Sequence, residues 1–257
     1  MASSHPPVPL VARGLAKRYG RAAALADVDV RVPAGRVVGL VGPNGSGKTT
    51  LLHVVAGLTR PDAGTAVVAG EPAGSRLARA RVGLVPDEPA GFDELTVGEL
   101  VALVHGLWRA GDEATVRARV LLDAFGLAPR AGQRLGSLSR GLRRQASIVA
   151  AFSLAPPLVL VDEATATLDP EAIVVLDEAM RALASRGCGV LLATQDLAFA
   201  DASCDELVLL AQGRVVERGT PAELRERRRA SSIEEVFLDV VGERGLRGRV
   251  RDDLAAL

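Results

Sequence analysis

The sequence is poor in lysine, asparagine and tyrosine. Of its 31 basic residues only Lys17 and Lys48 are lysine, and Asn44 and Tyr19 are the single asparagine and the single tyrosine. The basic residues are balanced by 31 acidic ones, so the formal net charge is zero. A neutral chain has no general attraction to nucleic acid or anionic lipid, and we expect no nucleic-acid partner.

Cysteine is scarce as well. Cys188 and Cys204 are the only two cysteines, and neither belongs to a CxxC pair. This spacing disfavours a structural zinc site or a disulfide framework. It predicts reduced thiols in the core of a cytosolic protein.

A long hydrophobic run is also missing. The longest uncharged stretch, residues 146–161, is interrupted by Pro156 and Pro157 and is shorter than the ~20 residues of a membrane span. We interpret it as a buried helix, a turn and a buried strand. Residues 1–10 have neither the basic start nor the apolar core of a signal peptide, so we expect a soluble chain.

The length, the composition and the hydrophobic pattern of the sequence indicate a folded α/β chain. Its 257 residues are 48% hydrophobic and 24% charged, which is enough for a sizeable core and excludes a disordered chain. Short apolar runs bounded by glycine and proline alternate with helical patterns. The predicted strands cover residues 28–32, 36–41, 65–69, 82–85, 158–161 and 190–193, with a hairpin joining 206–210 to 214–217. The predicted helices cover residues 48–56 and 170–186, and a terminal helix begins after Thr220.

The middle of the chain has a different pattern. Thr96 and Glu99 form a capping box, and Asp112 and Ser139 are candidate caps of two further helices. The three predicted helices cover residues 97–108, 113–125 and 140–154. Three helices without a clear strand between them predict a helical subdomain inserted into the α/β core.

A glycine-rich loop carries the most specific motif. The string from Gly42 to Thr49 satisfies the P-loop pattern, with a predicted strand before it and a helix after it. Glycine lets several backbone N–H groups face one anion, and the helix dipole adds positive potential there. We expect a positive φ at Asn44, a bridge from Lys48 to the β- and γ-phosphates, and Mg²⁺ on the Thr49 hydroxyl. The predicted nucleotide-binding loop, which the resemblance described below assigns to ATP, comprises Gly42, Pro43, Asn44, Gly45, Ser46, Gly47, Lys48, Thr49 and Thr50.

Two carboxylates follow the apolar strand at residues 158–161. Asp162 is suited to hold Mg²⁺, directly or through water, and Glu163 to orient or deprotonate a water that attacks the γ-phosphate. A strand that merely ends in acidic residues is the alternative. Together with the P-loop, the pair predicts a site that binds a nucleoside triphosphate, but it does not by itself predict the function.

The segment from Leu138 to Gln145, LSRGLRRQ, resembles the LSGGQ signature of the ATP-binding subunits of ABC transporters. In that family the signature loop binds the γ-phosphate of ATP held by the opposite subunit. Ser139 and Gly141 match, whereas Arg140 replaces the first glycine, as in subunits of ABC-2-type exporters. Arg140 either adds charge near the phosphate or points into solvent.

The resemblance extends along nearly the whole chain. It implies that Tyr19 stacks on adenine, although an ordinary strand tyrosine is the alternative. It also implies that Asp169, in the D-loop string ATLD, contacts the opposite subunit while it caps the following helix. Residues 232–239 resemble the tail of ABC-2-type subunits.

Two positions depart from the family pattern. Asp87 stands where a glutamine senses Mg²⁺ and the attacking water, and Asp87 can itself bind Mg²⁺. Gln195 stands where a switch histidine contacts the γ-phosphate, and a glutamine cannot carry a proton. We therefore expect ATP binding, with Glu163 and Gln195 as the catalytic positions and Thr49, Asp162 and Asp87 as the metal positions, but hydrolysis of uncertain efficiency.

The resemblance implies the ABC ATPase fold, an α/β P-loop NTPase (RecA-like) core with N-terminal antiparallel strands and an inserted helical subdomain. The predicted parts are a core at 1–86 and 156–218, a helical subdomain at 87–155 and a helical tail at 219–257. We expect two such chains, or one chain and a different ABC ATPase subunit, to close around Mg-ATP at the inner face of the plasma membrane. That closure would drive a separate multi-span permease. The alternatives are a soluble ATPase of the iron–sulfur assembly type and a degenerate subunit with weak hydrolysis.

Overall fold

The computed structural model describes residues 7–88 and 91–241. The strands are β1 (Leu10–Tyr19), β2 (Ala22–Val32), β3 (Val37–Val41), β4 (Ala63–Val68), β5 (Glu71–Pro72), β6 (Val82–Val85), β7 (Leu158–Asp162), β8 (Gly189–Thr194), β9 (Glu206–Ala211) and β10 (Arg214–Gly219). The α-helices are α1 (Lys48–Val55), α2 (Arg76–Arg79), α3 (Val97–Trp108), α4 (Asp112–Ala124), α5 (Arg140–Phe152), α6 (Pro170–Ser185), α7 (Leu197–Ser203), α8 (Pro221–Arg228) and α9 (Ile233–Val240). A short 3₁₀ helix covers Ala164–Thr167.

A six-stranded sheet forms the centre, in the order β10-β9-β3-β8-β7-β6. All its pairs are parallel except the β9–β10 hairpin. Its inner strands β3, β8 and β7 are buried on both faces, whereas the edge strand β10 is half exposed. Alternate residues of β3 enter two separate cores: Val37 and Val41 in one, Val38 and Leu40 in the other. Strands of this kind need apolar residues at every position, which explains the continuous apolar runs in the sequence.

The carboxyl ends of the parallel strands meet at one edge of this sheet. Asp162 at the end of β7 pairs in register with Ala193, and Val41 at the end of β3 pairs with Thr194. The phosphate loop after β3, Glu163 after β7 and Gln195 after β8 therefore follow three adjacent strand ends. This edge is where ligands bind in open parallel sheets.

A second, antiparallel sheet has the order β2-β1-β4-β5. Its inward residues share a core with α1 and with one face of the central sheet, as shown by Leu15, Leu51 and Leu191 in one cluster. The β1–β2 hairpin lies beside the phosphate loop, because a Cβ at Gly47 would lie 2.3 Å from the carbonyl oxygen of Ala24. The antiparallel strands thus border the site.

The inserted segment folds into α3, α4 and α5. The capping box of α3 is present, with Thr96 and Glu99 each bonding the other's backbone N–H. The predicted Asp112 cap of α4 is wrong, because Gly111 is the N-cap and Asp112 already lies in the first turn. There its charge interacts with the helix dipole without a capping bond. Ser139 caps α5, as predicted.

The C-terminal elements are tied to the core by arginines. The arginine cluster at residues 225–229 predicts a solvated helix face, or alternatively a contact with lipid headgroups or a partner. In the structure Arg225 pairs with Asp201, and Arg227 and Arg228 both pair with Glu217. Helix α7 was not predicted. Residues 1–6 and residues 242–257 of the predicted tail lie outside the described residues.

The predicted fold class is confirmed: an α/β core with N-terminal antiparallel strands and an inserted helical segment. Both cysteines are buried and free, and burial raises the pKa of Cys204 to about 12. Within the described residues, no helix combines the length and apolar character that crossing a bilayer requires.

Candidate functional site

The phosphate loop connects β3 to α1 through a backbone that only glycine allows. Gly45 and Gly47 have φ values of 77° and 110°, in the left-handed region. A Cβ at Gly42 would lie 2.2 Å from the carbonyl oxygen of Leu210. Asn44 is not among the positive-φ residues, so the predicted conformation at Asn44 is wrong. The adjacent Gly45 makes that turn, at no steric cost.

Lys48, the first residue of α1, is buried in the loop. Its side chain is 5% exposed, and Nζ donates to the carbonyl oxygens of Gly42 at 2.7 Å and Pro43 at 3.2 Å. Nζ also lies 3.0 Å from Oε1 of Glu163, as an ion pair. The hydroxyl of Ser46 is buried nearby without a hydrogen-bond partner. A cation, an unpaired hydroxyl and a helix N-terminus make this loop a cradle for an anion.

Glu163 lies opposite the cradle in a strained backbone conformation, with φ 45° and ψ 41°. Its N–H donates to the carbonyl of Ala193, and its Oε2 accepts a 3.1 Å bond from the backbone N–H of Gln195. The side chain of Gln195 itself is exposed. The contact between the two positions therefore uses the backbone and does not depend on which side chain stands at 195.

The predicted metal residues lie at the same edge. Burial raises the pKa of Asp162, the charges of Asp87 and Glu163 raise it further, and a hydrogen bond from Thr49 acts in the opposite direction. Oδ1 of Asp162 is buried without a partner. A buried carboxylate with an unused oxygen, next to other carboxylates, is an environment that a cation relieves.

This donor set fits Mg²⁺ better than a metal caged by protein. Within residues 7–88 and 91–241, no group of three or more His, Cys, Asp or Glu side chains could hold a metal. Mg²⁺ usually takes only one or two carboxylates and completes its shell with water and substrate phosphates. Asp162 and Thr49 satisfy that requirement beside the phosphate cradle.

Asp87 has a partner that the sequence reasoning missed. Its carboxylate, 56% exposed, lies 3.1 Å from Nη2 of Arg144, a side chain only 3% exposed. The signal was available, because Arg144, Ile148 and Phe152 recur at helical spacing on the buried face of α5. An arginine on such a buried face indicates a charged or hydrogen-bonding partner.

The signature loop and the D-loop touch each other. Ser139 and Arg140 are exposed at the start of α5, and no partner is found for the Arg140 guanidinium in the described chain. A Cβ at Gly141 would lie 2.5 Å from the carbonyl oxygen of Thr167, so glycine permits this close approach. Asp169 is exposed and caps α6 through the N–H of Ala172.

Tyr19 ends β1 and is 52% exposed. It pairs in register with Ala22, two residues before the Ala24 carbonyl that borders Gly47. The ammonium of Lys17 lies 5.8 Å from the centre of its ring. An exposed aromatic ring close to the phosphate loop is available for stacking, and the role predicted for Tyr19 stays a prediction.

The sequence matches the ABC transporter family over residues 25–166. The chain is 37% identical over 227 residues to a doxorubicin resistance ATP-binding protein of Mycobacterium tuberculosis, covering 85% of this chain and 67% of that protein. It is 35% identical over 236 residues to a Nod factor export ATP-binding protein I of Burkholderia lata, covering 90% and 77% respectively.

Solved structures agree. The structure of an ATP-binding subunit of an ABC transporter superposes with a TM-score of 0.85 at 32% identity, covering 90% of this chain and 99% of that one. A nucleotide-free ATP-binding cassette superposes with a TM-score of 0.74 at 22% identity, covering 90% and 98%, and shows the shared fold alone. The chain therefore belongs to the ABC transporter family, as an ATP-binding subunit of the exporter type.

Proposed function

We propose that two ATP-binding chains, this one with a copy of itself or with a related subunit, close around two Mg-ATP molecules. ATP binding and hydrolysis would then drive export through a separate membrane permease. The observation that carries the proposal is the position of Glu163, held between Nζ of Lys48 and the N–H of Gln195 at the phosphate cradle. These are the parts of a hydrolytic site.

In this proposal the phosphates of ATP replace the protein contacts of Lys48. Its ammonium moves from the carbonyls of Gly42 and Pro43 to the β- and γ-phosphate oxygens, and its pairing with Glu163 is broken. The freed carboxylate of Glu163 orients a water and accepts its proton as the water attacks phosphorus. Lys48 thus switches from blocking the base to holding the substrate.

Asp162 and Thr49 would hold the metal. Bound Mg²⁺ neutralises charge on the phosphates and on the developing leaving group. Asp162 is well suited, because its burial makes an uncompensated negative charge costly. Whether Asp87 also reaches the metal depends on its contact with Arg144.

The opposite subunit would complete each site. Ser139 offers its hydroxyl and the N-terminus of α5 to the γ-phosphate, and Gly141 lets this loop pack against the D-loop. Asp169 faces the partner subunit from the N-terminus of α6. Arg140 is exposed and remains open to either role predicted for it, a phosphate contact or a solvent-facing side chain.

A permease would dock beside the Asp87 segment. An apolar groove of about 330 Å³ lies between the core and the helical segment, with Leu84, Phe92, Leu100 and Trp108 among its lining residues. Phe92 is 48% exposed. An apolar patch of this kind indicates a protein contact. We infer from this partner that the chain acts at the cytoplasmic face of the membrane.

ATP turnover by the purified chain tests the hydrolytic proposal. We expect turnover that falls by about 100-fold or more in Glu163→Gln, since a general base contributes about 10²–10⁴-fold. The matched control is Arg134→Gln, which removes only an exposed ion pair to Glu94. Wild-type turnover no higher than that of Glu163→Gln would instead support a degenerate subunit.

Assembly needs a separate test. With ATP and Mg²⁺, Glu163→Gln should run as a dimer in size-exclusion chromatography, and Glu163→Gln combined with Ser139→Ala should not. Chain isolated from membranes through an affinity tag should bring a multi-span protein with it. Its consistent absence would contradict the permease proposal and favour a soluble ATPase.

A further inference from the structure

Arg144 is a buried arginine at the junction of three segments. It lies on α5 with its side chain 3% exposed. Nη1 donates to the carbonyl oxygens of Pro86 and Asp162, both at 2.8 Å. Nη2 donates to the carbonyl oxygen of Asp87 and to its carboxylate Oδ1, the latter at 3.1 Å. One guanidinium therefore joins the signature helix to the segments that follow β6 and β7.

These contacts need the geometry of arginine. A guanidinium presents several donors in one rigid plane, so it can bond three carbonyls and a carboxylate at once, whereas an ammonium is a compact point charge. A buried cation is costly unless it is paired and hydrogen-bonded. The two Nη groups of Arg144 are paired and hydrogen-bonded through Pro86, Asp87 and Asp162, whereas its Nε is buried without a partner.

We propose that Arg144 is a positioning residue for the ATPase reaction, which locks Asp87 and the end of β7 to the helix that carries Ser139. The inference rests on the proposed function. Because Ser139 caps the same helix that Arg144 anchors, a displacement at the Asp87–Asp162 edge moves the signature loop with it. Asp87 and Arg144 thus act as a pair that couples a chain's own ATP site to the loop it offers to its partner.

The pair also explains how the site accommodates Asp87. Asp87 adds a negative charge close enough to Asp162 to act on it electrostatically. The guanidinium of Arg144 binds Asp87 and the backbone of Asp162 together, and so compensates that charge. Removing Arg144 leaves the negative charge of Asp87 uncompensated beside Asp162, whereas removing both charged groups does not.

The test is ATP turnover as a function of ATP concentration in five chains: wild type, Arg144→Gln, Arg144→Lys, Asp87→Asn and the double variant Arg144→Gln/Asp87→Asn. We expect Arg144→Gln to lower kcat by about 10- to 100-fold, the usual effect of losing a supporting contact, with little change in KM because the Lys48 loop is untouched. Arg144→Lys should stay closer to Arg144→Gln than to wild type. The double variant should be no worse than Arg144→Gln alone.

A measurement without nucleotide checks the bridge itself. In thermal unfolding of the metal-free chain, Asp87→Asn should lower Tm in the wild-type background and not in the Arg144→Gln background. Should Arg144→Gln fail to fold, Asp87→Asn carries the test, since Asp87 is exposed. It should lower kcat at least about threefold, while Glu88→Gln, the exposed acidic neighbour, leaves kcat unchanged.

The outcomes separate the two proposals. A wild-type chain without turnover overturns the proposed function and this inference with it. Wild-type turnover with Arg144→Gln equal to the exposed-arginine control Arg134→Gln overturns the inference alone. A loss of turnover that comes only from a higher KM also overturns the inference alone. Full rescue of kcat by Arg144→Lys does the same.

Discussion

Nζ of Lys48 lies 3.0 Å from Oε1 of Glu163, so the cation and the carboxylate at the centre of the site are paired with each other. Both side chains are largely buried, at 5% and 12% exposure. Lys48 is also one of only two lysines in a chain with 31 basic residues. In this arginine-rich chain, the compact ammonium of a lysine lies between the backbone carbonyls of Gly42 and Pro43.

Lys48→Arg should therefore weaken ATP binding by about tenfold or more, the cost of one lost hydrogen bond to a charged group. The guanidinium keeps the charge but is too large for the space between Gly42, Pro43 and Glu163. Binding of a fluorescent ATP analogue measures the effect. The control is Lys17→Arg at the other lysine, where the ion pair to Asp62 is retained. Equal affinity in both variants would contradict the steric argument.

The side chain of Gln195 should contribute less to kcat than the side chain of Glu163. Gln195→Ala should lower kcat far less than the roughly 100-fold loss expected for Glu163→Gln, because Glu163 is held by the backbone N–H at position 195. Gln195→His should raise kcat, because an imidazole supplies a γ-phosphate contact that can carry a proton. Initial rates at saturating Mg-ATP decide this. A Gln195→Ala loss as large as that of Glu163→Gln would mean that the amide side chain is essential.

Two helical glycines give opposite predictions. Gly141→Ala should destabilise the chain by about 1–3 kcal/mol and lower turnover, because the new Cβ would lie 2.5 Å from the Thr167 carbonyl oxygen. Gly106→Ala, in α3 with nothing within 4 Å of its Cβ, should stabilise by up to about 1 kcal/mol. Chemical denaturation of both variants measures the difference. A neutral Gly141→Ala would refute the packing of the signature loop against Thr167, and a destabilised Gly106→Ala would contradict the open space around position 106 in α3.

Asp162 links stability to pH. Burial raises its pKa in the folded chain, so the folded state binds more protons than the unfolded state and loses stability as pH rises through the two pKa values. Asp162→Asn should therefore raise the Tm of the nucleotide-free chain at neutral pH. The gain should shrink as the pH falls toward the ordinary value of 3.8.

Asp162→Asn should also remove much of the rise in Tm that Mg-ATP produces. A ligand raises the stability of the folded chain by more when it binds more tightly, and this variant lacks the proposed metal carboxylate. Asp123→Asn, at an exposed acidic residue of α4, serves as the control for both measurements. An Asp162→Asn chain less stable than wild type at neutral pH would show that the carboxylate is already compensated without a ligand.

Elements could be predicted from the sequence where a single local requirement, such as burial or helix capping, determines the structure. The alternating and continuous apolar runs predicted eight of the ten described strands and missed β1 and β5. The Thr96 and Ser139 caps predicted two helix starts, and the family prediction is confirmed. Fully buried strands and capping residues leave few alternatives, because each violates a hydrogen-bonding or burial requirement if placed elsewhere.

The sequence alone did not predict which residue makes a cap or a turn where two neighbouring residues are both suited to it. Gly111 rather than Asp112 is the cap of α4, and Gly45 rather than Asn44 makes the left-handed turn, since glycine meets either need without a side chain. The bond from Arg144 to Asp87 joins residues 57 positions apart, and only the packing of α5 against β6 brings them together.

Glu163 has a strained backbone at this edge of the sheet. A non-glycine residue at φ 45° costs of order 1–3 kcal/mol that a glycine at the same place would not. Glycine at position 163 would relieve this strain, but it would leave the buried ammonium of Lys48 without its ion-pair partner. The carboxylate that serves as the proposed base therefore also offsets, through Lys48, the backbone strain of its own position.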